Sequence, residues 1–443
     1  MRDKLGLVSS GILLPMLMLV LLAASVVLSP IAARGVSGEE AVFCLGFIVL
    51  FAFFLARAFK TVGLPEISGY IIAGVLCGPH ALNILSFEVV RSLQLFDDVA
   101  LSIIALIAGG EMRLAFLKSK RGSLASVITG QVLLCFAGAF VVVAVLGGRL
   151  PFIAGLGGGG VVAVALTLGL VMAARSPSTT IGVVTETRSK GPFTDLVVGI
   201  TVILDVVVLL LAALVIPAAR TLTIPGETFS LMFARDLFVE ILGSLAIGVF
   251  LGVVVMSYIR WLGGYLPVFL VGLGFVGSLV CRHYHLDPLL AFMVAGFVVQ
   301  NFTIAGKALI NGLERSALPV YVVFFAISGA TIDLGALARM WLFAGVVFLV
   351  RAAAFYSGTA FAGGFARDVR PFAGQLWLGM LPQAGVTIGI ATVFERAFPW
   401  GGELKTIVLA VVAVNQLIGP VALKYILGRT GEAGARDRTD APS

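Results

Sequence analysis

Apolar positions in this chain come in blocks of about twenty, separated by short polar stretches. About 20 residues of helix cross a hydrocarbon layer roughly 30 Å thick. On that measure fourteen segments read as membrane helices: 11–30, 41–59, 65–85, 96–112, 123–148, 159–176, 195–218, 236–258, 262–282, 286–302, 316–331, 338–363, 372–394 and 406–427. Strict apolar/polar alternation over about ten residues does not recur, which argues against an outer-membrane barrel. The expected fold is an all-α polytopic membrane protein of thirteen to fourteen helices. The first segment follows Arg2 and Lys4 and precedes Ala32-Ala33, so residues 1–40 read either as a retained extra helix or as a signal peptide. Its apolar run is long for a signal, which favours a retained helix.

Composition supports this class. The chain has 443 residues, 60% hydrophobic and 12% charged, with a mean hydropathy of +1.10. Soluble domains carry about 25% charged residues. When the segments alternate sides, twenty of the 30 basic residues fall on the side shared by both termini, nine on the other, and Arg351 lies inside a helix. Cytoplasmic loops are rich in Lys and Arg, so both termini are expected in the cytoplasm, across the inner (plasma) membrane of a bacterium. The same scatter explains the basic pI of 9.4 without a nucleic-acid partner, because no basic patch interleaved with aromatics appears. Residues 428–443 form a short tail. Cys44, Cys77, Cys135 and Cys281 lie in or beside apolar segments and read as buried hydrophobes. No resident metal site, cofactor motif or catalytic triad pattern stands out, so an enzyme is not expected.

The chain also repeats itself seven segments apart. Gly69-Tyr70-Ile71-Ile72-Ala73-Gly74 parallels Phe292-Met293-Val294-Ala295-Gly296, and Ile107-Ala108-Gly109-Gly110 parallels Ile327-Ser328-Gly329-Ala330. Thr180-Ile181-Gly182 parallels Thr387-Ile388-Gly389, and Val202-Ile203-Leu204-Asp205 parallels Val412-Ala413-Val414-Asn415. Seven is odd, so the copies, about 65–218 and 286–427, must have opposite orientations. Inverted repeats of this kind are a plan of secondary transporters.

Two equivalent segments carry a polar, proline-containing interruption: Ser176-Pro177-Ser178-Thr179-Thr180 and Leu381-Pro382-Gln383-Ala384-Gly385. Proline lacks the backbone donor and clashes with the preceding turn. Freed backbone groups survive in a bilayer where they line a cavity, and paired breaks point to a transport site. Arg175 leaves the depth of the first break open: an arginine near the cytoplasmic end would make Pro177 a helix terminus.

Asp205 stands near the middle of its segment, about ten residues from either end, among Val, Ile and Leu. A carboxylate there costs at least ~2.5–3.5 kcal/mol on insertion scales and usually marks an ion or proton path. It can hold a proton or, when charged, a small cation, and competition between the two is the minimum that exchange requires. Arg351 is the other deep charge and is expected to pair with an acid, Glu111 and Asp205 being the candidates. Asn415, at the position equivalent to Asp205, either lines the site or joins helices. The ion- and proton-binding candidates are therefore Asp205, Ser176, Ser178, Thr179, Gln383 and Asn415, with Pro177 and Pro382 at the breaks and Arg351 with Glu111 as an intramembrane ion pair.

Together these residues resemble the monovalent cation:proton antiporters, the branch containing Kef-type, NapA-type and plant CHX-type exchangers. The resemblance lies in Gly63-Leu64-Pro65-Glu66-Ile67-Ser68-Gly69-Tyr70 with Gly78-Pro79, Gly110-Glu111, Ser176-Pro177, Phe324-Phe325-Ala326-Ile327-Ser328-Gly329, Leu381-Pro382-Gln383-Ala384-Gly385-Val386 and Asn415-Gln416-Leu417-Ile418-Gly419-Pro420. It spans about 41–427 and implies an NhaA/NapA-like fold with two crossing unwound helices, a moving core beside a dimerisation panel, a homodimer, and an ion-binding Asp at Asp205. The family often has a second polar residue before that Asp, whereas here Leu204 precedes it. A single carboxylate implies electroneutral one-for-one exchange of Na⁺ or K⁺ for H⁺. The alternative is a Na⁺-coupled symporter of an organic anion on the same plan.

Overall fold

The computed structural model of the protein describes residues 38–224, 231–262, 265–303 and 306–436. The expected first segment, 11–30, lies outside them. Each of the other thirteen segments contains a helix. In order these are α1 (Gly38–Thr61), α2 (Glu66–Cys77), the short α3 (Phe87–Ser92), α4 (Gln94–Glu111), α5 (Leu114–Leu146) and the one-turn α6 (Pro151–Ala154). Then come α7 (Gly158–Ala173), α8 (Pro177–Glu186), α9 (Pro192–Thr223), α10 (Leu231–Trp261), α11 (Leu266–His283), α12 (Pro288–Phe302), α13 (Gly306–Ala330), α14 (Leu334–Phe365), α15 (Gly385–Ala397) and α16 (Gly401–Arg429). Among the described residues, eight stretches are long and apolar enough to cross a membrane, with three shorter apolar helices beside them.

The boundaries differ from the expected ones for physical reasons. α5 starts at Leu114 rather than 123, because Lys118, Lys120 and Arg121 continue the helix beyond the apolar block. α2 stops at Cys77 rather than 85, since Gly78-Pro79 cannot continue it. Several starts are capped from within: Ser176, Asp287 and Asp333 accept the amides of Thr179, Leu290 and Ala336. Each thereby satisfies a donor that the first helical turn leaves free.

The helices pack in two groups. One contains α1, α2, α4 and α10 to α13; the other contains α5, α7 to α9 and α14 to α16, with α8 also packed against α2 and α4. In the first group the closest approaches are reciprocal. A side chain at Gly74 of α2 would overlap the carbonyl of Ala326 in α13, and one at Gly296 of α12 would overlap that of Leu106 in α4. Gly109 of α4 likewise lies on the carbonyl of Met293 in α12, and Gly329 of α13 on that of Ile71 in α2. The repeat pairs Gly74 with Gly296, Gly109 with Gly329, Ala326 with Leu106 and Met293 with Ile71. Each contact therefore has its counterpart in the other half, the packing that two equivalent halves produce.

Candidate functional site

The second group holds the two interruptions, and they touch. α7 ends at Ala173, and the chain is extended through Ala174 and Ser176 before α8 begins at Pro177. Pro177 forces this: its missing donor suits the first helical position, and it biases Ser176 toward the extended region. On the other side a 3₁₀ turn, Leu376–Met380, gives way to Leu381-Pro382-Gln383-Ala384 before α15. The Ser176 amide donates to the Pro382 carbonyl at 3.0 Å, so one break supplies a partner for the other.

The first break is deep. α8 has ten residues, about 15 Å of helix at 1.5 Å per residue, between the break and the Glu186 end. Arg175 is buried with it, which removes the reading of Pro177 as a terminus near the surface.

Arg351 is fully buried on α14 and spans the crossing. Its Nε donates to the Met172 carbonyl at 2.9 Å, Nη2 to that of Ala174 at 2.8 Å, and Nη1 to Leu381 O at 2.9 Å and Asn415 Oδ1 at 2.7 Å. Three of these acceptors are carbonyls freed where helices stop, at ends that carry partial negative charge. The planar guanidinium reaches all of them at once; a lysine could not. The expected ion pair with Glu111 does not form. Glu111 lies at the end of α4 and pairs with Arg436 at 2.6 Å, whereas Arg351 takes backbone carbonyls and an amide in place of an acid.

Gln383 and Asn415 complete this network. Gln383 Nε2 donates to Val171 O at 2.7 Å, and Asn415 Nδ2 donates to Gln383 Oε1 at 3.0 Å and to Val411 O at 2.8 Å. Ser176 Oγ caps α8 and contacts Thr179 Oγ1 at 2.8 Å. Thr179 and Ser178 are buried in the same first turn. The structure thus gathers Ser176, Thr179, Pro382, Gln383, Asn415 and Arg351 into one bonded cluster.

Asp205 stands apart from that cluster. It is 4% exposed on α9, thirteen residues after Pro192, about 20 Å along the helix. Among the described residues it makes no hydrogen bond and no ion pair.

Sequence reasoning missed Arg175 as a member of the crossing. Its Nη1 donates to Met380 Sδ at 2.9 Å and its Nη2 to Gln131 Oε1. Arg175 and Arg351 each lie 4.4 Å from the centre of the Phe355 ring, an attraction of about 2 kcal/mol for a desolvated pair. The signal was present: eight residues separate Pro177 from Glu186, which puts an adjacent arginine inside the bilayer. Gln131, reached from another helix, had no such signal. Among the described residues, no three His, Cys, Asp or Glu side chains gather as a resident metal site.

An all-helical membrane protein with two touching helix breaks and one unpartnered mid-helix carboxylate has the construction of a secondary transporter. The family model described as "Sodium/hydrogen exchanger, transmembrane" matches residues 47–429, and the chain belongs to that family. No curated protein matches it. Among solved structures, the sodium proton antiporter MjNhaP1 from Methanocaldococcus jannaschii at pH 8 shares the fold with a TM-score of 0.61 at 18% identity. That match covers 90% of this chain and 98% of the other.

Proposed function

We propose that the protein is a secondary active antiporter that exchanges a monovalent cation, Na⁺ or K⁺, for H⁺ by alternating access. Exchange is electroneutral, one for one, and runs through Asp205. The observation that carries the reading is the isolation of Asp205 beside a crossing where Arg351, Asn415 and Gln383 are bonded to one another. An acid held in place by an arginine or an amide would have to break those bonds in each cycle. One without partners can take a proton or a cation and release either. The hydroxyls of Ser176, Ser178 and Thr179 stand in the first turn of α8 as further oxygen ligands for a dehydrated cation. The surface bearing Glu186 and the end of α16 faces the cytoplasm, as the Lys and Arg distribution implies. The group of α5, α7 to α9 and α14 to α16 is the moving core, and the other group is the panel of a homodimer.

The test is proton flux in proteoliposomes with a lumenal pH dye. Na⁺, K⁺ and Li⁺ are added in turn to wild type and to Asp205→Asn. Cation-triggered pH change that disappears in the variant is the expected result. Flux of equal size in the variant moves the site elsewhere. Absence of flux with every cation from pH 6 to 9, in folded and inserted protein, together with saturable uptake of a labelled organic anion, would replace the reading by a symporter.

A further inference from the structure

The two helix groups meet unevenly. Apart from the consecutive α9 and α10, the most extensive packing between them runs through α8 against α2 and α4, and α16 against α2. At the surface that carries Glu186, α8 and α16 reach the start of α2 through Glu186 and Lys424. The broken-helix halves toward the opposite surface, α7 and α15, pack against α9 and each other, α7 also against α5 and α14, and α15 against α16. The structure is therefore sealed on one side of the crossing.

At the edge of that seal one carboxylate does an unusual job. α2 begins after Pro65, which offers no side-chain cap. Its first amides find their acceptor on the other helix group: Glu186 Oε1 accepts from the Glu66 amide at 2.9 Å and Oε2 from the Ile67 amide at 3.2 Å. A carboxylate suits a helix N-terminus, both as acceptor and as opposite charge to the dipole. Lys424 of α16 closes the contact, donating to Glu186 Oε1 at 3.2 Å and to the Leu64 carbonyl at 2.8 Å. Further in, Tyr321 OH approaches Thr185 Oγ1 at 3.4 Å, and Gln416 Nε2 donates to Ser328 Oγ at 3.0 Å.

We infer that Glu186 is a positioning residue for exchange: with Lys424 it latches α8 and α16 onto the N-terminus of α2 and holds the transport path shut on that surface. Opening there requires the α2 amides to leave Glu186 and Lys424 to leave Leu64. The latch sets how often the protein faces each side. It does not touch the transported ion. The inference rests on the alternating-access reading above, and its test must be able to fail separately from that reading.

Spin labels on cysteines at Val62 and Gly428 serve for this. Val62 is exposed at the end of the first group. Gly428 is exposed at the end of the second, with open space around its Cα. The four native cysteines are buried. Pulsed electron-electron distances should show one dominant short population in the otherwise wild-type protein. Glu186→Ala should raise a longer-distance population several-fold, and Lys424→Met should raise it less, since the amide cap survives. In flux assays, Glu186→Ala should lower the apparent KM for the cation on the latch side several-fold and raise it on the other, while Asp205 is intact. A contact with only a stabilising role would change protein yield and leave both KM values equal to wild type. Unchanged distances in folded Glu186→Ala overturn the latch; if that variant does not fold, unchanged distances in Lys424→Met do so. Wild-type vesicles without cation-driven proton movement would remove the antiport reading, while the distances would still judge the latch.

Discussion

Arg351 and Asp205 are both charged side chains in the middle of long helices, Arg351 seventeen residues into α14 and Asp205 thirteen residues into α9. They are treated in opposite ways. Arg351 makes four hydrogen bonds, three to carbonyls that the helix breaks expose. Asp205 makes none among the described residues. A buried charge that is fully bonded is structural, because every bond resists its displacement. A buried charge without partners is stable only when neutral or when something mobile neutralises it. On the proposed exchange reading, the contrast separates the part of the centre that holds its shape from the part that changes state.

The comparison breaks first at Arg351. Arg351→Ala orphans Met172 O, Ala174 O, Leu381 O and Asn415 Oδ1 together. At roughly 1–3 kcal/mol for each buried orphan, with partial relaxation, stability should fall by about 3–5 kcal/mol. Thermal unfolding in detergent should show a large drop in midpoint, with loss of transport as a consequence. Arg351→Lys should recover only part of it, because an ammonium cannot fan out to four acceptors. A full recovery by lysine would mean that charge alone matters there.

Asp205→Asn should do the reverse. It removes no hydrogen bond, so the unfolding midpoint should stay within the equivalent of about 1 kcal/mol of wild type. Exchange should nevertheless fall at least ~100-fold, about 2.7 kcal/mol in the barrier. A marked destabilisation instead would reveal a partner for Asp205 and weaken the contrast.

Much of this was legible in the chain, for a reason that explains the remainder. The thirteen described helical segments, both proline breaks and the isolation of Asp205 depend on runs of residue type along the sequence, which the bilayer makes nearly obligatory. Glycine positions carried the repeat for the same reason: Gly74, Gly109, Gly296 and Gly329 are where helices meet backbone to backbone. The partner of Arg351 could not be read this way. Its acceptors are main-chain carbonyls, which every residue has, and only the three-dimensional crossing frees these particular ones. Expecting an acid for every buried arginine therefore led to Glu111, which lies at a helix end and serves Arg436. Glu186 was overlooked for a related reason. Its task is to cap α2, a helix 120 residues earlier in the chain.

The finest test compares Asp205 with its equivalent in the second half, Asn415. Asn415 accepts from Arg351 and donates to Gln383 and Val411. Asn415→Asp keeps the shape and strengthens the first contact, but it loses both donated bonds and faces two oxygens with a third. The net cost should be about 1–2 kcal/mol, seen as a modest fall in unfolding midpoint. Because Arg351 sits 2.7 Å from that oxygen, the new carboxylate should stay paired and carry no proton across. Flux should remain within about tenfold of wild type, with the same response to an imposed membrane potential as wild type. If Asn415→Asp instead changed that response, a second group would be taking part in the cycle. Arg351 would then be a participant in transport as well as the brace of the crossing.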